Sequence, residues 1–248
     1  NLKKKVSTDI KNILKKKKFK GLVFSHLPIL MGVLNLTPDS FSDGGRYTKK
    51  NMGIQQAKKL IKDGCGIIDI GGEATNPGSK DVNKNKEWRR IYPTLSRIKI
   101  FKKFISLDTR KSTIMRKGIK NKVNLINDVS GLEYDLDTVQ VLRETNIPFV
   151  IHHMQGEPKT MQKKPRYNNV LLDIYDFFEN KIKYLRSKGI KHNNIILDPG
   201  IGFGKNLKHN ITLLRNISIF HSLGFPVMLG TSRKRFIKSL SGVNDSKE

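Results

Sequence analysis

The stretch Ile29-Leu30-Met31-Gly32-Val33-Leu34-Asn35 decides the fold, because a short apolar run ends in a polar side chain. Such a run, without regular alternation of apolar and polar residues, is typical of a parallel strand covered on both faces. Amphipathic segments separate it from six further runs of the same form. These runs lie at residues 67–70, 104–107, 123–126, 149–151, 195–197 and 227–229.

Helical periodicity fills the intervals between the runs. Apolar residues recur three or four positions apart, which predicts helices that bury one face. A glycine follows two of these stripes, at Gly64 and Gly189, as expected of a helix C-terminus. The stripes are Ile54, Ala57, Leu60 and Ile61; Ile91, Leu95 and Ile98; Leu136, Val139 and Leu142; Leu171, Ile174, Phe178, Ile182 and Leu185; and Leu213, Leu214, Ile217 and Phe220.

Polar residues follow nearly every apolar run. In a barrel of parallel strands the carboxyl ends converge on one mouth, whereas an open doubly wound sheet gathers fewer of them at a switch point. We therefore predict an α/β fold, a TIM (β/α)8 barrel with about seven βα units present. The polar ends are Asn35, Gly71-Gly72-Glu73, Asp108, Asn127-Asp128, His152-His153-Met154, Asp198 and Gly230-Thr231-Ser232.

No linker-like composition divides the chain. We predict a basic N-terminal segment at residues 1–27, with a hairpin at 18–27 plugging the bottom of the barrel, and one barrel domain at 28–248. Only a short predicted helix at 234–240 follows the seventh run. We therefore expect the barrel to be C-terminally incomplete, and this chain alone to be unstable or feebly active where a longer protein is active.

The net charge of +27 admits two interpretations. Clustered lysines can neutralise nucleic-acid phosphates, but here they are spread along the chain without a zinc-ligand set or an aromatic-basic RNA motif. We favour drift toward lysine, with some attraction of anionic substrates.

No run approaches the roughly 18 apolar residues of a membrane span. Cys65 is the single cysteine, which excludes an internal disulfide and suits the cytoplasm.

Three motifs carry candidate chemistry. The loop at 35–45, rich in Gly, Ser and Asp, is either an ordinary turn or a mobile lid, and the Asn35 amide oxygen suits Mg²⁺. The glycine-rich loop at 71–78 could hold phosphate through its amides or be a plain turn. The basic residues at 232–235 are either a solvated helix start or the anion site common after late barrel strands.

Two further motifs suggest a nucleotide-binding loop and a metal site, but neither has the required geometry. Residues 200–205 lack the spacing of a Walker or Rossmann loop. His152 and His153 are adjacent on an extended segment and so point to opposite sides, which makes them poor joint metal ligands. The histidine pair therefore favours a structural or substrate-lining role.

Together these segments resemble the dihydropteroate synthase family, in order, from about residue 29 to 243. The motifs that carry the resemblance are NLTPDSFSDGG, GGEATNPG, SLDTRK, INDVSGL, HHMQGEPKTMQ, LDPGIGFGKNLKHN and TSRKRF. The resemblance implies a transferase (EC 2.5.1.15) of folate biosynthesis, sensitive to sulfonamides. Its reaction joins (7,8-dihydropterin-6-yl)methyl diphosphate to 4-aminobenzoate, giving 7,8-dihydropteroate and diphosphate, with Mg²⁺ as cofactor and a homodimer as the common assembly.

The resemblance also implies residue roles. Lys234, Asp108 and Asn35 are the expected catalytic residues, and Asn35 is linked to the metal. The substrate-binding set is Thr75, Asn76, Pro77, Asp108, Asn127, Met154, Asp198, Phe203, Lys234 and Arg235, in which Asp108, Asn127 and Asp198 face the pterin edge.

The chain departs from the family pattern at Ala74 and Asn76, where Ser and Arg are usual. Loss of that Arg removes a fork-shaped cation suited to phosphate. The family's final Arg-x-His strand is also not in this sequence. A methyltransferase that uses methyltetrahydrofolate is the nearest alternative enzyme, and a degenerate homologue serving as a basic binding module is an alternative of another class.

Overall fold

The computed structural model describes residues 2–15, 17–19, 22–23, 28–37, 49–74, 79, 81–156, 161, 165–232, 234 and 237. Strands and helices alternate along most of this length. The strands are β1 Lys18–Phe19, β2 Leu22–Val23, β3 Met31–Asn35, β4 Ile67–Gly71, β5 Phe104–Asp108, β6 Leu125–Asp128, β7 Phe149–His152 and β8 Ile195–Asp198. The helices are α1 Leu2–Leu14, α2 Lys49–Lys62, α3 Lys84–Ile98, α4 Ser112–Lys120, α5 Thr138–Thr145, α6 Val170–Ser187 and α7 Leu207–Arg215.

The strands β3 to β8 form one parallel sheet in chain order, each paired with the next. This confirms the predicted α/β succession and the first six parallel strands. The seventh run reaches the sheet at a single bridge, Leu197 to Val227. Six neighbouring strands therefore bring their carboxyl ends to one edge of the sheet, where polar side chains can converge.

The main core lies between the sheet and the helices. Ile68, Ile70, Leu107 and Ile126 point outward from their strands and are almost fully buried against the helix layer. Burying such a side chain contributes roughly 1.5–3 kcal/mol, so this layer fixes the strand positions. Cys65 is buried just before β4, as expected of a small packing residue.

A second cluster fills the lower interior. The strands β1 and β2 pair antiparallel as a hairpin, and Phe19 of that hairpin packs on Leu125, Val150 and Ile196. Leu125 opens β6, and the other two residues lie second in β7 and β8, so the hairpin covers the amino-terminal ends of the strands. The division into segments 1–27 and 28–248 stays a prediction.

Two helix predictions were wrong in detail. Leu136 is 96% exposed and precedes α5. The Asp135 carboxylate accepts a hydrogen bond from the Asp137 amide, a local turn that delays the helix until Thr138. The stripe from Leu213 to Phe220 is divided between α7 and a 3-10 helix, Ile217–Leu223.

Two helices were not predicted. The helix α4 is short, and α1 lies in the basic N-terminal segment. The Asn12 side chain donates to the Ser222 carbonyl over 2.7 Å, which attaches α1 to the 3-10 helix. The predicted helix at 234–240 lies mostly outside the described residues. None of the described helices is long and apolar enough to cross a membrane.

Candidate active site

One layer of the sheet brings the predicted polar strand ends together. Register pairs Asn35 with Gly71, Gly71 with Asp108, and Asp108 with Asn127. Paired positions on adjacent parallel strands project to the same face, so these side chains form one row. A Cβ on Gly71 would lie 3.3 Å from the Asp108 Cβ, and the glycine therefore leaves space beside this carboxylate.

Asp69 lies beneath this row and was not among the predicted site residues. Asn127 Nδ2 donates to Asp69 Oδ2 over 3.0 Å, and both residues are buried. The available signal was a carboxylate inside an apolar run, because a buried acid needs a partner or a proton. Asp69 therefore joins the candidate site as the group that orients Asn127.

Burial and mutual repulsion set the charge of these carboxylates. Burial raises the pKa of Asp69. Burial also raises the pKa of Asp108 well above its ordinary value, and repulsion from Asp69 adds to the effect. Within the described part of the chain, no donor reaches Asp108 Oδ1 or Asn127 Oδ1. The row thus offers two buried acceptor atoms to a ligand rich in donors.

Asp198 ends β8 and introduces the next part of the site. Its Oδ1 accepts a hydrogen bond from the Gly200 amide over 2.8 Å. Burial raises its pKa to about 6, although that hydrogen bond and the charges of Lys234 and Lys205 oppose the rise. Asp198 is therefore a carboxylate that titrates close to neutrality.

Lys234 and Phe203 lie together near this carboxylate. Lys234 Nζ is 4.0 Å from the centre of the Phe203 ring, a cation–π contact. Burial lowers the pKa of Lys234, while Asp198 opposes the shift. An aromatic face and a cation thus lie beside the same acid.

His152 ends β7 and His153 follows it, and their side chains diverge, as predicted. His152 Nδ1 donates to the Val129 carbonyl over 2.9 Å, and its ring meets the Phe203 ring edge-on. His153 instead packs edge-on against Phe177. Burial lowers the pKa of His152 to about 3, so its ring is neutral. Met154, the next residue along the chain, is half-buried.

A buried ionic network follows β4 and β5. Lys111 Nζ contacts Glu73 Oε2 at 2.8 Å and Glu87 Oε2 at 2.6 Å, and Arg110 also contacts Glu73. Burial would raise the pKa of Glu73, but hydrogen bonds from Arg110 and Lys111 reverse the effect and lower it. This network, which the motifs did not predict, pairs buried charges near Asp108.

Comparison with known proteins identifies the family. The family model for pterin binding enzymes matches residues 31–248. The dihydropteroate synthase of Escherichia coli K12 is 40% identical over 227 residues, which cover 91% of this chain and 80% of the relative.

The chain belongs to the dihydropteroate synthase family of pterin-binding enzymes. Two solved structures of the family superpose with a TM-score of 0.83, which confirms the predicted fold class, a TIM barrel. A Clostridium difficile dihydropteroate synthase, solved in the presence of pteroic acid, is 37% identical and covers 91% of this chain and 84% of its own. A Xanthomonas albilineans dihydropteroate synthase with 4-aminobenzoic acid is 34% identical and covers 90% and 79%.

Some expected dihydropteroate synthase residues lie outside the described part of the chain: Thr75, Asn76, Pro77, Arg235 and the loop at 38–45. Asn35 is described and is exposed at the end of β3. Among the described residues, no group of three or more His, Cys, Asp or Glu side chains is placed to hold a metal ion.

Proposed function

We propose that this chain joins (7,8-dihydropterin-6-yl)methyl diphosphate to 4-aminobenzoate, giving 7,8-dihydropteroate and diphosphate. The observation that carries the proposal is the row of Asp108 and Asn127, whose buried acceptor atoms lack donors within the described residues. A pterin edge presents several N–H donors in one plane. Directional acceptors in a buried site select such a ring, because an unmatched ligand leaves them unsatisfied.

The pterin is held, in this proposal, by Asp108, Asn127 and Asp198. Met154 packs near the ring, and Lys234 contacts it from the side of Phe203. The pKa of Asp198, raised to about 6 by burial, supports this role, since the carboxylate predominates at neutral pH. Charged acceptors form stronger hydrogen bonds than neutral ones.

The chemistry of the reaction needs no nucleophilic side chain. The bond between the pterin methylene and the diphosphate oxygen breaks while the pterin ring delocalises the developing positive charge. The amine of 4-aminobenzoate then bonds to the methylene carbon and loses a proton. The protein contributes by holding the amine in line and by stabilising the departing diphosphate. Phe203, Pro77 and Arg235 are proposed to border the 4-aminobenzoate, and Thr75 and Asn76 to lie on the phosphate side.

Asn35 is the proposed residue for Mg²⁺. Its amide supplies a hard oxygen at the exposed end of β3, and Mg²⁺ commonly binds few protein ligands while keeping several waters and substrate phosphates. The donor therefore fits the ion. When bound, Mg²⁺ would neutralise charge on the leaving diphosphate. A cytoplasmic location and a homodimer complete the proposal, and sedimentation velocity tests the assembly.

Release of diphosphate tests the function. The protein is incubated with Mg²⁺ and the pterin diphosphate, with and without 4-aminobenzoate. We expect release that depends on all three components. If a folded protein releases diphosphate only at the background rate, the proposal is rejected.

A further inference from the structure

Lys205 is a buried cation behind the candidate site. It lies between β8 and α7 and is only 3% exposed. Its Nζ is 3.1 Å from His153 Nδ1, 3.3 Å from the His153 carbonyl oxygen and 2.8 Å from the Phe203 carbonyl oxygen. All three partners can accept, and an ammonium group has three protons to donate. The charged form of Lys205 therefore satisfies every partner at once.

These hydrogen bonds join two loops that are already in close contact. The His153 amide donates to the Asp198 carbonyl over 2.9 Å. A Cβ on Gly200 would lie 1.9 Å from the His153 carbonyl oxygen, and one on Gly204 would lie 2.4 Å from the Gln155 carbonyl oxygen. Residues 153–155 and residues 198–204 are thus in close contact, and the two glycines leave the space that the opposing carbonyl oxygens occupy.

The residues next to these anchor points are among those that the proposed function places around the substrates. Met154 directly follows His153, and Phe203 contributes one of the carbonyls held by Lys205. The Phe203 ring contacts His152 and Lys234 in turn. A change at the Lys205 ammonium would therefore reach both Met154 and Phe203 through the backbone.

We propose that Lys205 is a positioning residue, which ties residues 153–155 after β7 to residues 200–204 after β8 and so fixes Met154 beside the pterin and Phe203 beside the 4-aminobenzoate. This proposal rests on the proposed function. Lys205 acts through other residues and does not touch the substrate.

The environment of Lys205 gives the role a pH dependence. Burial lowers its pKa to about 7, with Asp198 opposing the shift and Lys234 adding to it. Among the described residues, the other titratable groups around it are His153, His152, His209 and Tyr167. Burial lowers the pKa of each histidine and raises the pKa of Tyr167. As pH rises through 7, Lys205 loses one of its three protons and its charge, so its hydrogen bonds to the two carbonyl oxygens weaken. Ligand affinity should therefore fall above pH 7.

The experiment titrates pteroic acid into Lys205→Met, Lys205→Arg and wild-type protein from pH 6 to pH 8.5 by calorimetry. Lys208→Met is the matched control, because Lys208 is exposed three residues away. We expect Lys205→Met to weaken binding about tenfold at pH 6.5, the usual effect of losing a charged hydrogen bond. In the diphosphate assay its KM should rise by a similar factor, with kcat within about twofold.

The pH profile separates a positioning role from a structural one. Wild-type affinity should fall above pH 7, whereas Lys205→Met and Lys205→Arg should lack this fall, since neither titrates in the range. If folded Lys205→Met protein binds pteroic acid as tightly as the wild-type protein does, the proposal is overturned. If that variant does not fold, Lys205→Arg decides, and an unchanged pH profile in it overturns the proposal.

The same data separate the two proposals. Wild-type protein that binds pteroic acid but releases no diphosphate contradicts the proposed function, and the Lys205 proposal is then judged on binding alone. Wild-type protein that does not bind pteroic acid contradicts both.

Discussion

The Asn127 amide donates to the Asp69 carboxylate over 3.0 Å, which links the row of side chains at the strand ends to a carboxylate beneath it. The bond uses one Asn127 donor and holds the side chain toward β4, across β5. Asn127 Oδ1 then remains as an acceptor without a donor in the described residues. Asp69 thus contributes to recognition by setting the orientation of Asn127.

Asn127→Asp should destabilise the protein at alkaline pH. The change places a third carboxylate beside Asp69 and Asp108, and a buried, unpaired charge costs about 3 kcal/mol. Because burial and repulsion raise the pKa of such an acid, the loss develops as pH rises and disappears when the group is protonated. Urea unfolding at pH 5 and pH 8 measures the difference.

Asn124→Asp is the control for that prediction. Asn124 is exposed, and its side-chain oxygen accepts from the Ile105 amide, a role that Asp can retain. Equal stability of the two variants at pH 8 would show that the buried carboxylates do not repel a third.

Asp198→Asn should stabilise the fold and weaken pterin binding. The folded pKa of Asp198 is raised to about 6, so its contribution to stability is present below the unfolded pKa and is lost as pH rises through 6. Removing the charge should raise the free energy of unfolding by about 2 kcal/mol at pH 8 and change little near pH 4. Denaturant unfolding tests the stability, and titration with pteroic acid tests the binding. If Asp198→Asn is less stable than the wild-type protein at pH 8, the stability prediction is wrong.

Gly200→Ala should distort the loop after β8, in which Gly200 lies between Asp198 and Phe203. The residue has φ of +67°, and its Cβ would overlap the His153 carbonyl oxygen at 1.9 Å. We expect the free energy of unfolding to fall by about 2–4 kcal/mol, because of the overlap together with backbone strain. Gly189→Ala has φ of +84° but no close contact below 3.9 Å, so it should lose only about 1 kcal/mol. Urea unfolding measures both variants. Similar losses of unfolding free energy would contradict the prediction, because they would show that the loop shifts to relieve the overlap.

Lys234→Met should weaken pteroic acid binding at least tenfold while the protein stays folded. The change keeps most of the side-chain length but removes the cation over the Phe203 ring and beside Asp198. Lys191→Met is the control, because Lys191 is exposed before β8. Unchanged binding in Lys234→Met would remove Lys234 from the site.

The sequence predicts the strands and their polar ends because both are local properties. An apolar run followed by Asp108 or Asp198 is visible without knowledge of the fold, and parallel strands bring such ends to one edge. The pairing of Asp69 with Asn127 joins residues 58 positions apart. The contact of Lys205 with His153 spans 52 positions. Neither has a local signal.

Local side-chain competition explains the helix errors. The Asn216 side chain donates to the Thr212 carbonyl, and its backbone amide turns to Leu213, so α7 ends at Arg215. The apolar spacing continues past that residue and gives no sign of the change. Periodicity therefore located the buried face correctly but not the helix end.

The most direct test of the proposed function is the formation of 7,8-dihydropteroate, measured by mass spectrometry, in wild-type and Asp108→Asn protein. We expect product from wild-type protein only when the pterin diphosphate, 4-aminobenzoate and Mg²⁺ are all present. Asp108→Asn should stay folded and lose at least tenfold in kcat/KM, because the substitution replaces a buried acid at the centre of the row. No product from folded wild-type protein, or equal product from Asp108→Asn, would contradict the proposed function and the role of this row.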